Sequence, residues 1–255
     1  MLNSPLIVTF VPALGDNIIW LFATGADSVA AIDPGAANPV RHHLAQYGLT
    51  LSHILLTHHH ADHTGGVQDL RQGGTIQVIG PQQEAHRLPP LDILVRDGDR
   101  LTLGEVEILV LEVPGHTLGH VVYQAQDALF SGDTLFSFGC GRLFEGTHAQ
   151  MWQSLTRLSQ LSGVERLFPG HEYTLLNLAF TLTLGLDQTE LTTLMQHYRQ
   201  ILSHSPTVLP TPMNQEKRLN PFLRCQDPEF VTHLGRQQAS PEEVFQFLRD
   251  KRNRF

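Results

Sequence analysis

Thr57-His58-His59-His60-Ala61-Asp62-His63 packs four imidazoles and a carboxylate into seven residues, directly after the apolar run Ile54-Leu55-Leu56. The run reads as a strand, and loops at strand ends are where a rigid sheet presents ligands, so the fold has to carry this stretch at a sheet edge. His58 and His60, two apart in extended backbone, point the same way. His59 points the opposite way and is expected as an outer or packing residue. The stretch reads as the first half of a two-metal site.

The other half stands at the ends of three further apolar runs. Residues 108–111 lead through Glu112-Val113-Pro114-Gly115 to His116, residues 128–130 through Ser131-Gly132 to Asp133, and residues 166–168 through Pro169-Gly170 to His171. A glycine directly precedes each candidate and lets the backbone turn tightly. Imidazole and carboxylate suit Zn²⁺, Fe²⁺ or Mn²⁺, whereas a structural zinc site is more usually closed by thiolates. Five histidines (58, 60, 63, 116, 171) and two aspartates (62, 133) are too many for one open catalytic metal and about right for two that share a bridge. A histidine triplet alone could be a solvated loop, and Gly119-His120 an ordinary turn. The His-x-His-x-Asp-His spacing, matched by three ligand-type residues in the same context, favours metal. The remaining histidines (42, 43, 53, 59, 86, 120, 148, 197, 204, 233) are read as surface or packing residues.

A chain of 255 residues holds one large domain or a core with an appendage. Hydrophobic residues at 41% and charged residues at 16% give a soluble globular composition. A formal charge of −8 speaks against general nucleic-acid binding, which needs clustered Lys and Arg. Cys140 and Cys225 cannot build a disulfide framework, which suits a reducing compartment and a cytoplasmic location. Cys140 is expected as a small buried thiol. No apolar run reaches the ~18 residues of a membrane span, and Met1 to Asp16 fits a signal peptide poorly, with no basic opening and with Pro5 and Pro12 breaking its apolar residues.

Short strands are expected over 6–10, 18–22, 29–32, 54–56, 77–79, 92–95, 100–103, 106–111, 121–124 and 128–130. A helix should open at Asn38-Pro39 and stop at Gly48, another should cover 65–72, and 81–90 should be a short helix or loop. Alternating strands and helices with some meander imply a layered α/β domain. Farther on, 175–184 and 188–202 carry helical periodicity, 205–213 is a loop rich in Pro and Thr, and Ser240-Pro241-Glu242-Glu243 opens a last helix with a capping box.

His58-x-His60-x-Asp62-His63 with His116, Asp133 and His171 resembles the metallo-β-lactamase superfamily. Within it the chain is similar to glyoxalase II, the hydroxyacylglutathione hydrolases. The narrower likeness rests on residues 57–66, Pro114-Gly115-His116-Thr117, residues 132–136, residues 139–147, Gly170-His171-Glu172-Tyr173-Thr174 and Asn220-Pro221-Phe222-Leu223-Arg224, and so runs over essentially the whole chain. It implies an αββα metallo-β-lactamase sandwich over 1–172, followed by a smaller helical substrate-binding domain over 173–255. It assigns His58, His60 and His116 to one metal and Asp62, His63 and His171 to the other, with Asp133 bridging. Two divalent ions per chain, Zn first and Fe or Mn as alternatives, would hold a hydroxide that attacks a thioester carbonyl, with Asp62 and Asp133 as its catalytic carboxylates. The thioester would be that of S-(2-hydroxyacyl)glutathione, typically S-D-lactoylglutathione, split to D-lactate and glutathione in methylglyoxal detoxification. The likeness assigns the glutathione moiety to Arg142, Phe144, Tyr173, Arg249 and Arg252. Phe144 stands where some members have Tyr and lacks its hydroxyl; Arg252 stands where some have Lys. Arg249, Lys251, Arg252 and Arg254 also read as a basic helix end complementing the dipole. The competing functions are a lactone or β-lactam hydrolase, a one-iron persulfide dioxygenase, and a metal-dependent binding protein without catalysis. A monomer is expected, with a homodimer as the alternative, and neither nucleic acid nor membrane as a partner.

Overall fold

The computed structural model describes residues 5–72 and 74–255; Met1 to Ser4, part of the stretch read for a signal peptide, lie outside them. Apolar alternation builds two sheets. β1 (Val8–Ala13), β2 (Asn17–Ala23) and β3 (Ser28–Ile32) form an antiparallel meander, to which β4 (Thr50–Leu55), β5 (Gln77–Pro81) and β6 (Ile93–Val95) add in parallel, in that order. The first crossover is α1 (Ala37–Tyr47); the second holds α2 (Ala61–Thr64) and α3 (Val67–Arg71). β7 (Arg100–Leu103), β8 (Val106–Glu112), β9 (Val121–Ala125) and β10 (Ala128–Gly132) make the second sheet, followed by the small hairpin β11 (Leu135–Phe136) and β12 (Gly139–Cys140). After α4 (His148–Ser159), β13 (Arg166–Pro169) joins β10 in parallel. The rest is α5 (Thr174–Leu182), α6 (Gln188–Leu202), β14 (Thr211–Pro212), α7 (Met213–Leu219), α8 (Pro228–His233) and α9 (Pro241–Asn253).

The sheets stack face to face through aromatic contacts: Trp20 meets Phe168 edge-on at 4.9 Å and Phe22 stacks on Phe130 at 5.5 Å. Polar atoms carried into this core are satisfied, and each ties the sheets together near a ligand loop. Trp20 Nε1 donates to the Pro169 carbonyl at 2.8 Å, and the Tyr123 hydroxyl donates to the Leu56 carbonyl at 2.7 Å. Val40 of α1 and Val67 and Leu70 of α3 cover the outer face of the first sheet. Met151, Leu155 and Leu158 of α4, with Val244, Phe245 and Leu248 of α9, cover that of the second. The layers therefore run helix, sheet, sheet, helix, with a helical segment at the end.

Several local expectations shift. α1 begins at Ala37 with Ala36 as its N-cap, so Pro39 falls inside the first turn, where its missing N–H costs no hydrogen bond. Gly48 does close it, left-handed at φ 66°. The helix expected over 65–72 is shorter, α3 alone, and a separate one-turn helix, α2, precedes it across Gly65-Gly66. The Pro- and Thr-rich loop contains β14, which pairs with β13 at the sheet edge, where a proline removes no needed hydrogen bond.

Candidate metal centre and its cleft

β4, β8, β10 and β13 deliver their ligand-type residues to one edge of the sandwich. His60 caps α2, whose single turn swings Asp62 and His63 toward His171. His60 Nδ1 lies 3.0 Å from both His58 Nε2 and His116 Nε2, and His116 Nε2 lies 3.4 Å from Asp133 Oδ2. His63 Nε2 lies 3.2 Å from His171 Nε2, and both lie 3.4 Å from Asp62 Oδ2 and from Asp133 Oδ1. Asp133 thus turns one oxygen to each cluster. Ligands about 2.0–2.1 Å from a shared ion in tetrahedral array stand roughly 3.3 Å apart, so these spacings fit a cation within each group. Asp133 Oδ1 is buried without a hydrogen-bond donor among the described residues, a state that a cation relieves.

The imidazoles are held from behind. His58 Nδ1 donates to the Thr57 hydroxyl at 2.9 Å, which donates on to Asp33 at 2.6 Å; His63 Nδ1 donates to the other side of the same Asp33 oxygen at 3.1 Å. His116 Nδ1 donates to the Arg142 carbonyl and His171 Nδ1 to Asp16, both at 2.8 Å. Such partners fix the ring and its tautomer so that the opposite nitrogen offers a lone pair. Asn17 Nδ2 holds Asp62 Oδ2 at 3.1 Å. His120, read above as a turn or packing residue, is fully buried, stacks on His58, and accepts the Asp133 backbone N–H at 3.1 Å. Gly132 is left-handed at φ 48°, and a Cβ there would fall 2.5 Å from Thr57 Oγ1, so only glycine lets Asp133 sit this close to the histidine loop. Asp16, Asn17, Asp33 and His120 escaped the sequence reading because they act across the fold. His171 and Asp16 are 155 residues apart. Asp33, directly after the run 29–32, did carry the strand-end signal.

Charge divides the candidate ligands into two sorts. Burial, reinforced by neighbouring imidazoles, holds His58 well below its usual range and His60 at about 4, and burial lowers His116 too. These are neutral donors. Burial also opposes charge on His63 and His171, yet the Asp133 carboxylate and hydrogen bonds to aspartates raise both. Asp133 is pushed up by burial, but His63 and His171 outweigh this and keep it ionised; the hydrogen bond with His63 keeps Asp62 ionised. Protons on His63 and His171 balance the carboxylates, and a divalent cation can displace them.

Beside the cluster opens a cleft of about 360 Å³ lined by His116, Asp133, Phe136, Cys140, Arg142, Phe144, Tyr173, Leu176, Asn177, Arg249 and Arg252. All five residues expected to meet substrate border it, in different states. Arg142 is exposed and Arg252 half-buried, whereas Arg249 is buried with its Nη1 donating to the Cys140 carbonyl at 2.8 Å. Tyr173 stacks flat on His171 at 4.9 Å, and Phe144, 64% exposed, sets its ring edge-on to His116 at 5.2 Å. Cys140 is buried, as expected of an inert thiol. A larger groove of about 740 Å³ beside Leu6, Thr24 and Val106 has no histidine, cysteine or aspartate in its lining.

The family described as the Metallo-beta-lactamase superfamily matches residues 16–171, and the Hydroxyacylglutathione hydrolase C-terminus matches residues 172–255. With its two facing sheets and strand-end histidines and aspartates, the chain is a member of the metallo-β-lactamase superfamily. A hydroxyacylglutathione hydrolase of Vibrio cholerae is 41% identical over 96% of this chain and 98% of its own, and one of Rhodospirillum rubrum is 42% identical over 99% and 100%. The chain belongs to the hydroxyacylglutathione hydrolase family, also called glyoxalase II. Among solved structures, TTHA1623 in a di-iron-bound form is similar at 26% identity and a TM-score of 0.60, over 84% of this chain and 98% of that one. The donor set is one that binds divalent metal. No helix among the described residues is long and apolar enough to cross a membrane.

Proposed function

We propose that this chain hydrolyses the thioester of S-(2-hydroxyacyl)glutathione, typically S-D-lactoylglutathione, with two divalent ions, Zn first, held by His58, His60 and His116 and by Asp62, His63 and His171, and with Asp133 between them. The observation that carries it is one cleft with Asp133 and His116 at its floor and three guanidinium groups on its wall. Burial and the nearby charges of Arg249 and Arg142 hold Arg252 below its usual range, and its buried Nε has no acceptor among the described residues. Such crowding favours an anion, and guanidinium pairs with carboxylates in a fork geometry that glutathione can satisfy.

When bound, the ions lower the pKa of water and polarise a carbonyl. Asp62 and Asp133, both ionised, orient water by accepting its hydrogen bonds. Burial raises the Tyr173 phenol to about 12, so it stays a donor toward the bound chain. Phe144 lacks a hydroxyl and offers only its ring, which screens His60 and His116 from water. The leaving thiolate, with a thiol pKa of about 8.5, departs without a dedicated acid. The division into a catalytic unit over 1–172 and a substrate-binding unit over 173–255, a cytoplasmic location and a monomer belong to the same reading.

Loss of thioester absorbance on S-lactoylglutathione, run with elemental analysis, is the test. Turnover with two ions per chain is expected. Faster turnover of a lactone or penicillin, oxygen uptake with one iron, or full metal without hydrolysis would each replace this reading with the corresponding alternative.

A further inference from the structure

Glu84 lies on the 3-10 turn after β5, 25 residues from His59 in sequence, and is only 3% exposed. One carboxylate oxygen accepts both the backbone N–H and the Nδ1–H of His59 at 2.7 Å. The other accepts the Thr117 hydroxyl and, at 3.1 Å, the Gly119 N–H. The first pair comes from the residue between His58 and His60, and the second from the turn directly after His116. Gly119 is what admits the side chain, since a Cβ there would stand 2.6 Å from Glu84 Cγ. At the rim Glu145 repeats the link: its Oε2 accepts the Leu118 N–H at 3.0 Å and its Oε1 stands 3.7 Å from His59 Nε2. The outward face of His59 is therefore where the two loops are joined.

We propose that Glu84 is a positioning residue for the metal centre: by binding both loops it sets the distance between the His58–His60 pair and His116. The inference rests on the reading that these three imidazoles hold an ion. A carboxylate is needed because all its partners can donate and two are backbone N–H groups on opposite oxygens. Glutamine has the same shape, yet its amide nitrogen must face either the His59 or the Gly119 N–H, donor against donor.

The experiment strips metal from the full chain and titrates it with Co²⁺, reading affinity by calorimetry and coordination by visible absorption. Glu84→Gln is carried into His171→Gln, which leaves the three-imidazole cluster whole, and into His60→Gln, which leaves the other. Circular dichroism of each metal-free protein shows that it is folded. Loss of such outer partners weakens metal about 10- to 100-fold, and that loss is expected in the His171→Gln background, with less than about twofold change in the other. Glu84→Asp, which keeps the acceptors and shortens the reach, should fall between. Unchanged affinity in both backgrounds, or equal weakening in both, overturns the proposal. Elemental analysis of the unmutated chain judges the two-ion reading separately; if it holds one ion, Glu84 stands or falls on that ion's affinity alone.

Discussion

Arg249 and Arg252 share one helix and one cleft, but their surroundings give them different work. The Arg249 guanidinium lies over the Phe222 ring at 5.3 Å and holds the Cys140 carbonyl, two residues before the Arg142 carbonyl that orients His116. Arg252 lies near the Phe180 and Phe255 rings, at 5.8 and 5.7 Å, and its one side-chain hydrogen bond among the described residues is to Asn177, at 3.3 Å. Arg252→Ala is therefore expected to raise KM about tenfold or more, the loss of one charged contact, with kcat and metal content held. Arg249→Ala should raise KM and also release metal. Steady-state kinetics beside metal analysis checks the split, and equal metal retention in both variants would contradict it. The candidate ligands themselves were legible because each is a metal-binding type at or just past the end of an apolar run. Their orienting partners were not, since an aspartate in a turn such as Asp16 looks the same whether it faces water or a histidine across the fold.

The hairpin of β11 and β12 shows how the helical segment takes part in the centre. It leaves Asp133, turns at Phe138 in left-handed backbone at φ 53°, and returns to Arg142. Glu216 of α7 holds this turn, accepting the Phe138 N–H at 2.7 Å and the Ser137 and Thr211 hydroxyls at 3.0 and 2.8 Å, while Asn220 donates to the Phe136 and Gly139 carbonyls at 3.1 Å. Burial raises the Glu216 carboxyl from 4.5 to about 7. The folded chain thus binds this proton more tightly than the unfolded chain. The associated stability is fully present below pH 4.5 and is lost as pH rises to about 7. Glu216→Gln imitates the protonated form, because the two hydroxyls can turn to accept its amide. It should stay folded, and its stability relative to the unmutated chain should rise by roughly 3 kcal/mol at most between pH 4.5 and 7. Urea unfolding of the metal-free proteins at both ends of that window checks this, and a flat difference would refute the titration. Neither α7 nor α4 was read from sequence, although Thr147-His148-Ala149-Gln150 has the capping-box form that the structure realises. The last helix, opened by Ser240 with Glu243, was read correctly from the same signal.

For the whole chain the balance of protons and carboxylates at the centre predicts how folding and metal are linked. Chelation should lower Tm and readdition restore it, by about 2.7 kcal/mol per ion at a hundredfold excess over Kd, or roughly 5–10 °C. The raised His63 and His171 give up protons as metal enters, so calorimetry near neutral pH in buffers of different ionisation enthalpy should register proton release. A Tm indifferent to metal would mean that the site binds none. The sequence by itself determined the longer strands, the metal-binding residue types and the family, but not the short β11, β12 and β14, because periodicity and ligand spacing are local properties that survive in one dimension. Only the tertiary structure decided that two sheets bring His60, His116 and Asp133 to one edge, that Glu84 ties loops far apart in the chain, and that Arg249 is buried while Arg252 is left partly open. Those are matters of packing and of which donors find which acceptors, and no spacing along the chain encodes them.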